Sequence, residues 1–316
     1  MAPLGAADML TIALLHAALL FAAGRWLLPQ MLQFLAAHRL CDRNYRGETI
    51  PTACGLLLWL LVLLENMAVA LTDKIGWPAL TGAGFGVAHP YSALFMSYSV
   101  SLGAVALLGF IDDAAGQKHI KGLSGHWKQW KEQRLLSTGL VKASGTAVAA
   151  AVFVLRQEDQ SLAQGCCQIL LLMLLTNTFN LLDLRPGRAL KSFFSIVLLW
   201  LLTEALYMAV MMENEAPVFL LDSKLLPMAI PVLTGACLLF GADLRGELML
   251  GDTGANLLGF ALGCWLIVTT GWLVQSVLLL LTAALHLISW RSSLSRLIER
   301  NRMLLWFDLL GRGKGT

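Results

Sequence analysis

Apolar residues fall into nine long blocks, at approximately 8 to 28, 51 to 71, 92 to 111, 138 to 155, 164 to 183, 192 to 212, 225 to 242, 252 to 270 and 272 to 290. Each is close to the ~20 residues an α-helix needs to cross a bilayer, and none alternates like a barrel strand. A segment crossing lipid must satisfy its own backbone N–H and C=O groups, so each block is predicted as a helix. The expectation is an all-α polytopic membrane protein with about nine transmembrane helices, nine to ten at the limits, in one domain spanning 1–316. Only Thr270-Gly271-Trp272 divides the last two blocks, short enough for a tight helical hairpin. After residue 292 the pattern changes. From Leu294 to Leu310 basic residues are interleaved with Leu297, Ile298, Leu304, Leu305, Trp306 and Phe307, which predicts an amphipathic helix lying in the membrane interface.

Composition agrees with this reading and excludes a soluble domain. Of the 316 residues, 57% are hydrophobic and 14% charged, and the mean hydropathy is +0.69; soluble chains average roughly 45–50% apolar and about 25% charged. The six cysteines show no CxxC spacing and no zinc-type cluster, so they read as small hydrophobes. No Lys or Arg precedes the apolar run from Met9, which favours a first span over a secretory leader. Charge placement gives the orientation. With nine spans, all but three of the 23 Lys and Arg fall on one side, leaving Lys74, Arg156 and Lys224 opposite. The positive-inside rule makes the rich side cytoplasmic, with the N-terminus outside and the C-terminus inside.

Four polar clusters then share the cytoplasmic face. Asn44 to Thr52 enters the second block, where Pro51 and Thr52 look like a helix start. Asp112 and Asp113 close the third block and precede Lys118, Lys121, His126 and Lys128. Adjacent carboxylates at a membrane boundary are expected to face a polar cavity, a partner or a metal. Asn177, Asn180 and Asp183 close the fifth block, the two asparagines sharing a helical face at three-residue spacing. Gly251-Asp252-Thr253-Gly254-Ala255-Asn256 opens the eighth, where Asp252 is placed to hold a cation and free amides at a helix N-terminus favour phosphate. Hard oxygen ligands, basic residues and helix N-termini at a membrane surface suit Mg²⁺ and a phosphorylated substrate. There is no Walker loop, Rossmann fingerprint or nucleophile elbow. Basic residues are not interleaved with exposed aromatics, so nucleic acid is not an expected partner.

Thr49-Ile50-Pro51-Thr52, Gly109-Phe110-Ile111-Asp112-Asp113, Asn180-Leu181-Leu182-Asp183 and Met249-Leu250-Gly251-Asp252-Thr253-Gly254 resemble, in order, the motifs of the polyprenyl-phosphate N-acetylhexosamine-1-phosphate transferases. The resemblance implies a bacterial cytoplasmic-membrane enzyme of cell-envelope glycan synthesis, with its site facing the cytoplasm. It would transfer a sugar-1-phosphate from a UDP-sugar to a polyprenyl phosphate and release UMP, with Mg²⁺ neutralising the diphosphate. Asp252 would be the metal ligand. Asp112 and Asp113 would position or deprotonate the lipid phosphate, Asp112 also assisting the metal. Asn180 and Asp183 would line the nucleotide site and Thr52 would lie near the diphosphate. A homodimer stays open.

The chain departs from the pattern in places. Gly116 stands where the peptidoglycan enzymes of the family have a lysine, and Pro186 where they have an aspartate. Their late triple-histidine loop and a tenth span have no counterpart. These departures favour a UDP-N-acetylhexosamine donor over the pentapeptide donor. They leave Lys121 and Lys128 as the nearest cations to the Asp pair, and Arg185, Arg188 or Lys191 as phosphate ligands. A non-catalytic paralogue that binds polyprenyl phosphate or scaffolds envelope assembly is the second reading. A transporter is the third, disfavoured because the long blocks are nearly free of charge at their centres.

Overall fold

The computed structural model describes residues 6–75, 90–115, 138–157, 160–211 and 225–312. Along them run α1 (Ala6–Ala37), β1 (Cys41–Arg43), β2 (Thr49–Pro51), α2 (Leu56–Ile75), α3 (Pro90–Ala115), α4 (Thr138–Val154), α5 (Leu162–Leu182), α6 (Arg188–Met211), α7 (Leu226–Arg245), α8 (Gly251–Thr269), α9 (Trp272–Arg291), α10 (Leu294–Arg300) and α11 (Arg302–Leu309). The first nine helices fall on the nine apolar blocks in order. Six of them, α1, α3, α5, α7, α8 and α9, are long and apolar enough to cross a membrane, the make-up of a multi-pass membrane protein. The apolar stretches of α2 and α4 are shorter, Leu56–Leu71 and Gly139–Val154.

Helix α8 is the hub. It packs chiefly on α3 and α5, while α4 closes the circle by packing on both of those. Small residues allow the close approaches. A Cβ on Gly55, just before α2, would overlap the Cα of Gly254 on α8, and one on Gly259 would meet the Leu175 carbonyl oxygen of α5 at 2.5 Å. Lipid tails are as apolar as leucine, so van der Waals fit and polar contacts hold such a bundle, and glycine makes the fit. Outside this ring, α1 and α2 pack on α7 and on each other.

Four expectations need correction. The tight α8–α9 hairpin does not form, since α9 lies along α5. A polar clamp explains it: Gln168 Nε2 on α5 donates to Gln275 Oε1 (3.0 Å), while Gln275 Nε2 donates to the carbonyls of Thr270 and Ile267. Pro51 starts no helix; it ends a strand. β1 and β2 pair antiparallel with Cys41 opposite Pro51, and Asn44 Oδ1 folds the intervening turn by accepting from the Arg46 and Glu48 amides. The expected single interfacial helix is broken at Asn301, whose side chain leaves the first segment to accept from the Met303 and Leu304 amides of the second. Finally, one block carries an ionisable residue well inside it, because Glu65 of α2 is buried against His16 of α1 (Nδ1 to Oε1, 2.8 Å).

Candidate active site

The site lies at the end of the circle where α3 and α5 finish and α4 and α8 begin. Helix α8 starts at Gly251, whose φ of +68° only glycine adopts without strain, and a Cβ there would strike the Asp113 carboxylate at 2.5 Å. Its N-cap, Leu250, offers no side-chain oxygen. Asp113 on α3 supplies the cap from outside. Its Oδ1 accepts from the Asp252 amide (2.9 Å), and its Oδ2 accepts from the Thr253 amide (2.9 Å) and hydroxyl (2.6 Å). The close approach depends on Gly109, one turn earlier, where a Cβ would sit 2.5 Å from the Asp252 carbonyl oxygen. The glycines and aspartates of the two motifs are therefore one joint. This corrects the expectation of free amides awaiting phosphate at α8, since Asp113 takes the Asp252 and Thr253 amides.

Asp252 turns the other way, into the circle. Lys142 Nζ on α4 bonds directly to Asp252 Oδ2 and lies 3.7 Å from Asp112 Oδ2, so one ammonium sits between two carboxylates. Asn180 on α5 completes the layer. With its amide turned to suit its neighbours, its nitrogen donates to Asp252 Oδ1 (2.7 Å) and its oxygen accepts from Lys142 (3.1 Å). α3, α4, α5 and α8 thus each contribute a polar side chain to one cluster.

Lys142 is the residue that sequence reasoning overlooked, because it stands four residues inside a block read as a span and was counted among the positive anchors. Its signal was legible: a lysine one turn into an apolar helix needs an acidic partner or a route to water. It is the cation sought near the Asp pair. Lys121, Lys128 and Gly116 lie outside the described residues.

Beside this cluster is a cavity of about 240 Å³. Its walls include Arg43, Asn44 and Tyr45 of the β1–β2 hairpin, Asp183 to Pro186 of the α5–α6 turn, Asp243, and Gly246, Leu248 and Met249 before α8. Burial pushes the Asp183 carboxyl well above the usual carboxylate range, and the Asp243, Asp252 and Asp113 carboxylates push it further, against the pull of the Gly251 N–H. Thr52 is buried behind the joint. Its amide donates to the Leu40 carbonyl, and the next residues run beside the start of α8, with the Cys54 and Gly55 amides on the carbonyls of Met249 and Leu250. The Cys54 thiol, pushed up to about 12 by burial, is inert.

Two of the expected groupings separate. Asn177 does not share the face of Asn180; it points to His286 of α9 (3.4 Å), which also meets Thr178. Three helical residues turn through about 300°, and that offset divides the pair between α9 and the site. Arg188 and Lys191, expected as phosphate ligands, are buried and hold the tail. Arg188 makes a bidentate pair with Asp308 (2.7 and 3.0 Å), and Lys191 donates to the Phe307, Asp308 and Leu310 carbonyls. Arg185 is half-exposed at the cavity, 3.7 Å from Glu299.

As metal ligands, Asp112 and Asp252 offer carboxylate oxygens on one cation. Among the described residues no three His, Cys, Asp or Glu side chains are gathered to hold a metal by themselves. That donor set fits a divalent ion sharing a substrate phosphate, as Mg²⁺ does, and not a closed protein cage. No protein-family model and no curated protein matches this chain.

Proposed function

We propose that the chain is a Mg²⁺-dependent phosphoglycosyl transferase, moving a sugar-1-phosphate, with N-acetylhexosamine-1-phosphate favoured, from a UDP-sugar to a polyprenyl phosphate with release of UMP. The reading takes α1 to α9 as nine spans with the N-terminus outside, and puts the site at the cytoplasmic face of a bacterial membrane. One observation carries it. Residues of the second, third and fourth motifs, far apart in sequence, meet around one lysine at one mouth of the helix circle.

The chain's own residues divide the work of positioning and charge control that phosphoryl transfer chiefly requires. Asp113 is engaged by three donors and orients Asp252. Asp112, which shares Lys142 with Asp252, faces the lipid phosphate and takes its proton. Asp252 and Asp112 would hold Mg²⁺, which when bound neutralises the diphosphate. Lys142 balances their charge beforehand and is placed to swing onto a substrate phosphate. Asn180 holds the Asp252 carboxylate in register, and the cavity walled by Asp183 and Arg185 takes the nucleotide end of the donor.

The experiment is a donor screen on purified protein with lipid phosphate, reading lipid-linked product by mass spectrometry. UMP release that requires both lipid phosphate and Mg²⁺ supports the proposal; folded protein giving no product from a panel of UDP-sugars overturns it. The lysine lying between the two carboxylates gives the non-catalytic reading its footing, because it satisfies them without metal. That reading expects Asp252→Asn to complement a deletion strain as well as wild type, whereas the enzyme reading expects loss.

A further inference from the structure

The turn that walls the cavity, residues 183–187, has no regular structure of its own and is tied from two directions. From within, the Gly187 amide donates to the buried Asp243 carboxylate (3.0 Å). From outside, among the described residues, the C-terminal tail supplies three ties. Arg312 Nε donates to the Pro186 carbonyl (3.0 Å), Glu299 pairs with Arg185, and Asp308 grips Arg188, the first residue after the turn, through both carboxylate oxygens. Arg312 also donates to Asp308 (2.8 Å), so this one buried carboxylate gathers two guanidiniums: that of Arg188, which follows the turn, and that of Arg312, which also holds the Pro186 carbonyl within it. Lys191 finishes the seat by capping the last carbonyls of α11, where a cation also meets the negative end of the helix dipole. None of the residues lining the cavity belongs to the tail.

We propose that the C-terminal tail is a strap that sets the Arg185–Pro186 wall of the cavity, with Asp308 as its positioning residue for the donor. The inference rests on reading that cavity as the nucleotide end of the donor site. Asp308 never touches substrate. It acts by holding Arg188, which anchors the chain just after the wall, and Arg312, which donates to the Pro186 carbonyl within it, and a wall fixed beforehand spares the donor the cost of ordering it on binding.

The test compares full-length wild type with Asp308→Asn and Asp308→Glu in steady-state kinetics, together with amide exchange over residues 184–188. Asp308→Asn is expected to raise the donor KM about tenfold, to leave kcat and the lipid-phosphate KM within about twofold, and to speed exchange at the Gly187 amide, with Asp308→Glu recovering much of each. A folded Asp308→Asn protein with wild-type donor KM and exchange overturns the strap. A lower melting temperature with unchanged KM overturns it too, since packing alone would do that. If Asp308→Asn does not fold, the double change Arg188→Met with Asp308→Leu replaces the buried pair by apolar side chains of similar volume; the same KM rise is expected, and a wild-type KM overturns the inference. If wild type itself turns over no UDP-sugar, the transferase reading fails separately. The exchange measurement then still decides whether the tail holds the wall.

Discussion

Helices α8 and α9 follow one another with two residues between them and have nearly equal length, 19 and 20 residues, yet 83% of the α8 span is buried in protein and 11% of the α9 span. Hydropathy runs the other way, 1.3 for α8 and 1.8 for α9. In water the greasier helix would be the core; in lipid the greasier helix faces the solvent. What selects α8 for the centre is small residues and polar ends. Gly254, Gly259 and Gly263 each meet a neighbouring helix or chain segment within 3 Å of where a Cβ would stand, and Asp252 and Thr253 have partners on α3. The exposed residues of α9, Leu273, Leu280 and Leu281 among them, need only tails to lie against.

The contrast can be broken most severely at a glycine. Gly55→Ala puts a methyl onto the Gly254 Cα, backbone against backbone, and the expected cost is about 3 kcal/mol or more, read as loss of the monodisperse peak in detergent and a collapse of Tm. Asp252→Asn or Lys142→Met is expected to lower kcat by roughly 10²- to 10³-fold while the fold survives, because each removes charge control and little packing. Full activity in a folded Lys142→Met protein would remove that residue from the site. Asp113→Asn should cost about 1–3 kcal/mol of stability as well as activity, since a neutral amide cannot accept well from all three donors at the start of α8. Smaller effects are expected on the α9 side, which leads into the tail. There the hydrogen bonds and positive charges of Arg188, with Arg312 and Lys191, outweigh burial and hold the Asp308 carboxyl below its ordinary range. A depressed carboxylate stabilises fully above its unfolded pKa of about 3.9 and loses that contribution as pH falls through the folded value. Tail protection from proteolysis should therefore be constant from pH 7 to about 5 and fall only below about 4. Smallest of all, Leu280→Ala on α9 is expected to shift stability by less than about 0.5 kcal/mol in lipid, since that side chain is exposed to tails.

The existence and order of the nine long helices were legible because hydropathy reports exactly the property that lipid demands. Which faces meet was not, because that information sits in glycines and in side-chain reach. The β1–β2 hairpin escaped notice since each strand is three residues long and its cause, the Asn44 turn with Gly47 at φ +81°, is a local hydrogen-bond pattern with no periodicity. Asp112, Asp113, Asn180 and Asp252 stood out as polar residues closing or opening apolar runs, and the structure gathers them. Lys142 was hidden by the rule that explains basic residues near membrane ends as anchors. Arg188 and Lys191 were misjudged for the related reason that a cation near a site looks like a ligand until its buried partner is known, and Asp308 lies 120 residues from Arg188.

The joint between Asp113 and the start of α8 also has a mechanical side. Three hydrogen bonds and the bare backbone of Gly109 weld α3 to α8 at the mouth of the circle. Helix α4, seated on α3 and α5, reaches across to α8 by the flexible stem of Lys142. Any widening of this mouth therefore has a fixed jaw and a moving one, and the hinge load falls on α4.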